Sequence, residues 1–163
     1  MPTNLYGPGD NYHPENSHVF ASFINKFYYA SKLNHPSVTC WGSGKPFREF
    51  MHVYDLASAV LYVLENWDPT SNDAPLDSSG NPLTVLNVGT GEDISIKDLA
   101  YKISQIIGFK GQIIWDKDKP DGTLRKRLDV SRIKKLGWET KIKLNEGILN
   151  TLESFNYEQK KMN

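Results

Sequence analysis

Apolar residues in this chain recur at two spacings, and the alternation between them sets the first expectation of its fold. Over 17–32, Phe20, Phe23, Ile24, Phe27 and Tyr28 fall at helical intervals, which predicts an amphipathic helix with Ser17 placed to cap its start. A second stripe, Leu56, Ala59, Val60, Val63 and Leu64, predicts a buried helix face running from a capping Asp55 to about Asn66. Ser95 with Asp98 has the form of a capping box, opening a third helix to Ile107 that Gly108 ends. Short β-prone runs at 38–41, 47–53, 84–88 and 112–115 lie between these helices, and two more helices are expected at 130–136 and 144–157. Strands alternating with helices predict α/β architecture, with too few strands for a complete doubly wound sheet.

The segments between these elements are rich in turn formers. Residues 1–17 carry Pro, Gly and Asn and read as a structured loop, 67–82 read as an exposed loop, and 115–127 are charged and turn-rich. At 163 residues the chain fits one domain or pieces of two. Nineteen basic and nineteen acidic residues cancel, so no basic surplus draws the chain to nucleic acid or to an anionic membrane surface. Aromatics at 12%, including Trp41, Trp67, Trp115 and Trp138, argue for a folded core. Cys40 is the single cysteine, so an internal disulfide and a cysteine-rich zinc site are both excluded, and a reducing, cytoplasmic setting fits. No apolar run reaches the ~20 residues of a membrane-spanning helix, and the first residues do not read as a signal peptide. His13, His35 and His52 lack ligand-pair spacing, so no metal site is expected.

Four blocks carry a more specific pattern: MPTNLYGPGDNYHPENSHV at 1–19, WGSGKPFREFMHVYDLA at 41–57, LNVGTGEDISIKDLA at 86–100 and KPDGTLRKRLDVSRIKKLGW at 119–138. In this order they resemble the GDP-L-fucose synthase family, extended short-chain dehydrogenases of the NAD-dependent epimerase/dehydratase type. The resemblance implies an incomplete Rossmann domain plus a small α/β substrate-binding domain, with 1–163 as the C-terminal, mainly substrate-binding portion. It implies NADPH-dependent epimerisation and 4-keto reduction of GDP-4-keto-6-deoxy-D-mannose. His18 matches the family's catalytic histidine, a general acid beside the ketone, and is expected to lie against the cofactor as well. Pro2, Thr3, Asn4 and Leu5 match the loop that touches the nicotinamide end of NADP, and the Asn4 amide is expected to fix the ring. Lys26, Trp41, Arg48 and Asp121 match substrate-binding positions, where cations suit a diphosphate and an aromatic face suits a nucleotide or sugar. Arg125 is a secondary candidate, with Leu124 in place of the family's proline.

The family's Tyr-x-x-x-Lys pair and glycine-rich pyrophosphate turn precede the PTNL run, so this chain is expected to lack both and to be inactive alone. Tyr28 with Lys32 and Tyr157 with Lys161 imitate the pair. Tyr28 is better read as part of an apolar stripe, and Tyr157 as part of a fraying polar tail. Gly89-Thr90-Gly91 lacks the third glycine of a dinucleotide turn and reads as a tight connection. Cys40 does not match the family's cysteine base and is expected to be a buried, inert thiol. The implied partners are a GDP-sugar and either a second copy of the complete protein or an N-terminal portion in trans. Two alternatives stand beside this reading: a non-catalytic GDP-sugar-binding module, and another NAD(P)-dependent sugar-nucleotide epimerase or dehydratase.

Overall fold

A computed structural model describes residues 1–162 of the chain. Its elements run β1 (Asn4–Tyr6), α1 (Val19–Lys32), β2 (Ser37–Trp41), β3 (Phe47–Arg48), β4 (Phe50–His52), α2 (Val53–Asn66), β5 (Ile94–Ser95), α3 (Ile96–Ile107), β6 (Gln112–Asp116), β7 (Arg125–Lys126), α4 (Ser131–Lys135) and α5 (Leu144–Met162). The expected mixed α/β fold is what forms.

Three short sheets organise it. β1 pairs with β4 and β2 with β6, both in parallel, while β3 lies between antiparallel β5 and parallel β7. Parallel pairs need helical crossovers to return the chain, and α2 and α3 lie on the path from β2 to β6. The stripe of α1 is buried as its spacing dictates: Phe20, Phe23, Ile24 and Phe27 meet Leu99 and Ile103 of α3 and Ile148 and Phe155 of α5 in one core. Each such side chain contributes about 1.5–3 kcal/mol when removed from water. A second core gathers Met51, Ala59, Val88, Val130, Ile133 and Trp138 under α2 and α4.

Local chemistry sets the helix ends. Ser95 Oγ accepts from the Asp98 N–H at 3.0 Å and donates to the Asp98 carboxylate at 2.6 Å, and Gly108 closes α3 at φ +80°, a conformation L side chains avoid. Ser17 is not the cap of α1. His18 holds that position in extended backbone, without a side-chain cap bond. Nor does Asp55 cap α2: the His52 imidazole accepts from the Tyr54 N–H at 3.3 Å, while buried Asp55 accepts from Lys141 and Ile142 N–H groups, each at 3.1 Å.

Three other expectations need correction. In α2, Ala59 is buried and Leu56 and Val63 are partly buried, but Val60 and Leu64 face outward, Leu64 at 78% exposure, so two of the five predicted stripe residues are uncovered, and their neighbour Leu61 is exposed with them. The run 84–88 is not a strand. Val88 makes a single bridge to Pro2, accepting from Thr3 and donating to Met1, and that is too little pairing to build a ladder. Finally, α5 continues past Tyr157 instead of fraying, because Phe155 is fully buried against Tyr12, Tyr28 and Tyr29, and the Tyr29 hydroxyl donates to Gln159 at 2.5 Å.

Candidate functional site

The register of β2 on β6 sets Trp41 beside Asp116, so the two strands release their following turns at the same edge. The Gly42 N–H donates to the Asp116 carbonyl at 2.9 Å. Gly42 sits at φ +80°, and a Cβ there would collide with the Asp121 carboxylate, so both backbone angle and space require glycine. Asp121 then closes one turn onto the other. Its Oδ1 accepts from the Ser43 N–H at 2.9 Å, and its Oδ2 accepts from the Ser43 hydroxyl at 2.5 Å. The hydroxyl, then the amide, then the charge of Lys45 hold the Asp121 carboxyl below its ordinary pKa. Arg48 adds a second clasp, donating through Nη1 to the carbonyls of Phe47 at 2.7 Å and Thr123 at 2.5 Å.

These turns frame an aromatic surface. Trp41 is 60% exposed although it ends a strand, and Lys26 Nζ, which also donates to the Thr39 carbonyl at 3.2 Å, lies 5.6 Å from its ring centroid. A cavity of about 190 Å³ beside it is lined by Pro14, Ser17, Ser22, Phe23, Lys26 and Trp41. Lys26, Trp41, Arg48 and Asp121 therefore come together around one pair of turns, with an indole face and two cations able to meet an aromatic ring and an anion.

The remaining expected residues sit elsewhere. His18 is exposed at the start of α1, its imidazole not used for capping, and Lys26 follows eight residues on, about 12 Å along the helix axis. The run 2–5 is tied into the fold rather than left as an open loop. Thr3 Oγ1 and Asn4 Nδ2 both donate to the Glu49 carbonyl, at 3.3 and 2.7 Å, and Leu5 packs on the second core. The Asn4 amide nitrogen is thus committed to the fold, and a cofactor would meet this run through other groups. Arg125 is also committed: its Nε and Nη2 donate to the Asp93 carboxylate at 2.5 and 3.0 Å.

Glu49 was not singled out by the sequence pattern, yet it is fully buried and holds three segments together. Its Oε1 accepts from the Gly91 N–H at 2.8 Å and the Thr90 hydroxyl at 3.3 Å, and its Oε2 accepts from the Leu128 N–H at 2.8 Å. Gly89 has no room for a Cβ against the same carboxylate. The Gly89-Thr90-Gly91 turn does hold an anion, and that anion is the chain's own side chain. Cys40 is buried, with burial pushing its thiol up to about 11 against the opposing charge of Lys26. Lys32 Nζ lies 5.8 Å over the Tyr28 ring, and Lys161 Nζ 4.5 Å over Tyr157, so both imitations of the catalytic pair are stacked contacts. Among the described residues, no cluster of three or more His, Cys, Asp or Glu side chains could hold a metal ion, and no helix is long and apolar enough to cross a membrane.

Residues 1–74 match the NAD dependent epimerase/dehydratase family, which defines the class of this part of the chain. Across nearly its whole length the chain is a relative of the GDP-L-fucose synthases: it is 46% identical over 155 residues to GDP-L-fucose synthase from Escherichia coli strain K12, covering 95% of this chain and 47% of that protein. Among solved structures, a GDP-6-OMe-4-keto-L-xylo-heptose reductase from C. jejuni superposes at TM-score 0.85 with 31% identity, covering 96% of this chain and 53% of that one. A GDP-L-fucose synthetase from Naegleria fowleri bound to NADP superposes at TM-score 0.81 with 26% identity, covering 98% of this chain and 46% of that one. The chain spans about half the length of the relatives it matches.

Proposed function

We propose that this chain is the substrate-gripping part of a GDP-L-fucose synthase-type enzyme, an NADP-dependent epimerase and reductase acting on GDP-4-keto-6-deoxy-D-mannose in the cytoplasm. The observation that carries the reading is the exposed Trp41 face, with Lys26 against it and the Asp121 and Arg48 clasps around it, on a chain 46% identical to such an enzyme. In this reading Trp41 stacks on a ring of the nucleotide-sugar, and Lys26 and Arg48 meet the diphosphate. Asp121 carries negative charge and accepts only, so it faces N–H or hydroxyl groups of the ligand rather than phosphate. His18, with an imidazole free of capping duty, passes a proton beside the ketone.

The cofactor, bound in its reduced form NADPH, would supply hydride to the keto carbon. The run 2–5 and His18 lie on this chain's side of that group, contributing backbone and an imidazole, since the Asn4 amide nitrogen serves the fold. The pyrophosphate cradle and the Tyr-x-x-x-Lys pair belong to the remaining length of the relatives. The two-stranded parallel pair β1–β4 and the uncovered Val60, Leu61 and Leu64 suit a fold that continues into that remainder, because parallel sheets are normally covered and extended.

Two measurements test the reading. Calorimetry of the purified chain with GDP-L-fucose should show saturable binding, lost in Trp41→Ala. Mixed with NADPH and the keto-sugar nucleotide, the chain alone should oxidise no NADPH, and adding the complementary part of a relative should start turnover. A folded chain without GDP-sugar affinity would overturn the proposal, and turnover by the chain alone would overturn its division of labour.

A further inference from the structure

Trp41 carries a second cation. Lys119 Nζ lies 5.4 Å from the same ring centroid, as near as Lys26 at 5.6 Å. Lys119 is exposed and stands in the turn after β6, three residues beyond Asp116, the register partner of Trp41. Its N–H donates to the Asp116 carbonyl at 3.3 Å, while Gly42, the residue after Trp41, donates to the same carbonyl at 2.9 Å. One carbonyl therefore anchors both the indole and the lysine turn.

The two lysines differ in what else they do. Lys26 is half-buried and donates to the Thr39 carbonyl, whereas Lys119 is exposed with the indole as its contact. An exposed cation–π contact is weak, and a charge-assisted hydrogen bond to phosphate exceeds it. An ammonium held so weakly, two residues before the Asp121 clasp, is placed to leave the ring for an anion. We propose that Lys119 is a further substrate-binding residue: it rests on Trp41 in the free protein and moves onto the diphosphate when a nucleoside diphosphate covers the indole. This rests on the reading of the Trp41 face as the GDP-sugar site.

The test uses the full chain and its Lys119→Gln, Lys119→Arg and Lys117→Gln variants, each first confirmed folded by circular dichroism. GDP and guanosine are titrated separately by calorimetry at low and high salt. Lys119→Gln should weaken GDP about tenfold, the loss of one phosphate hydrogen bond, while changing guanosine affinity less than about twofold. Lys119→Arg should retain GDP affinity, and Lys119→Gln should flatten its salt dependence. Equal losses for GDP and guanosine, an unchanged GDP affinity, or an equal loss in Lys117→Gln would each overturn the assignment while leaving the GDP-sugar site standing. A folded wild-type chain that ignores GDP would instead overturn the site, and the Lys119 assignment with it.

Discussion

Asp121 and Ser43, 78 residues apart in sequence, meet through both carboxylate oxygens, one on the serine amide at 2.9 Å and one on its hydroxyl at 2.5 Å. If this clasp shapes the turns around Trp41, Ser43→Ala and Asp121→Asn should each weaken GDP-sugar binding about five- to tenfold, with the double variant little worse than either single one. A double-mutant cycle by calorimetry checks it: coupling of about 1 kcal/mol is expected, whereas strict additivity would mean that Asp121 acts on the ligand independently of Ser43.

The Glu49 carboxylate satisfies backbone donors at Gly91 and Leu128 in a site with no exposure. Glu49→Leu leaves both N–H groups buried and unpaired, at about 1–3 kcal/mol each, so a loss of about 2–6 kcal/mol in unfolding free energy is expected from urea denaturation. Glu49→Gln, which keeps one acceptor oxygen, should lose less.

His52 is 1% exposed, with its imidazole edge-on to the Tyr6 and Tyr54 rings and its Nε2 buried and unpartnered. Burial lowers its pKa, and the charges of Asp55 and Glu146 oppose the shift. The unfolded chain then binds the proton more readily than the folded one. This contribution to stability is complete above the unfolded value of about 6.5 and is lost as pH falls from there through the lower folded value. His52→Asn, which retains a capping acceptor, should show a flatter fall in urea stability between pH 7.5 and 5 than the wild type, and equal slopes would refute the assignment.

With its pKa pushed up to about 11 and its side chain buried, Cys40 should resist thiol reagents at pH 8. Labelling by a dithiobenzoate should become complete only in denaturant. Fast native labelling would contradict the burial of β2.

The helices were legible where one face decides their fate. The stripe on α1 and the Ser95 cap of α3 form as their spacing implies, since local periodicity and a short side chain suffice to specify them. Asp55 misled because a cap is judged by its neighbours in sequence, whereas this carboxylate serves Lys141 and Ile142, 86 and 87 residues away. Val60 and Leu64 misled because periodicity shows that a helix has an apolar face without showing what covers it. At the candidate site, the family resemblance pointed to Lys26, Trp41, Arg48 and Asp121, but only the β2–β6 register brings Lys119 to the same indole. Glu49 was invisible for the same reason: a buried acid between Arg48 and Phe50 looks in sequence like any strand charge until its three partners arrive from elsewhere.

The carboxylate inside the Gly89-Thr90-Gly91 turn has one more consequence. A phosphate entering that turn would compete with a rival on the same polypeptide, present at an effective concentration that dilution cannot lower. The turn is in that sense permanently inhibited by its own chain, and a free phosphate is shut out of it.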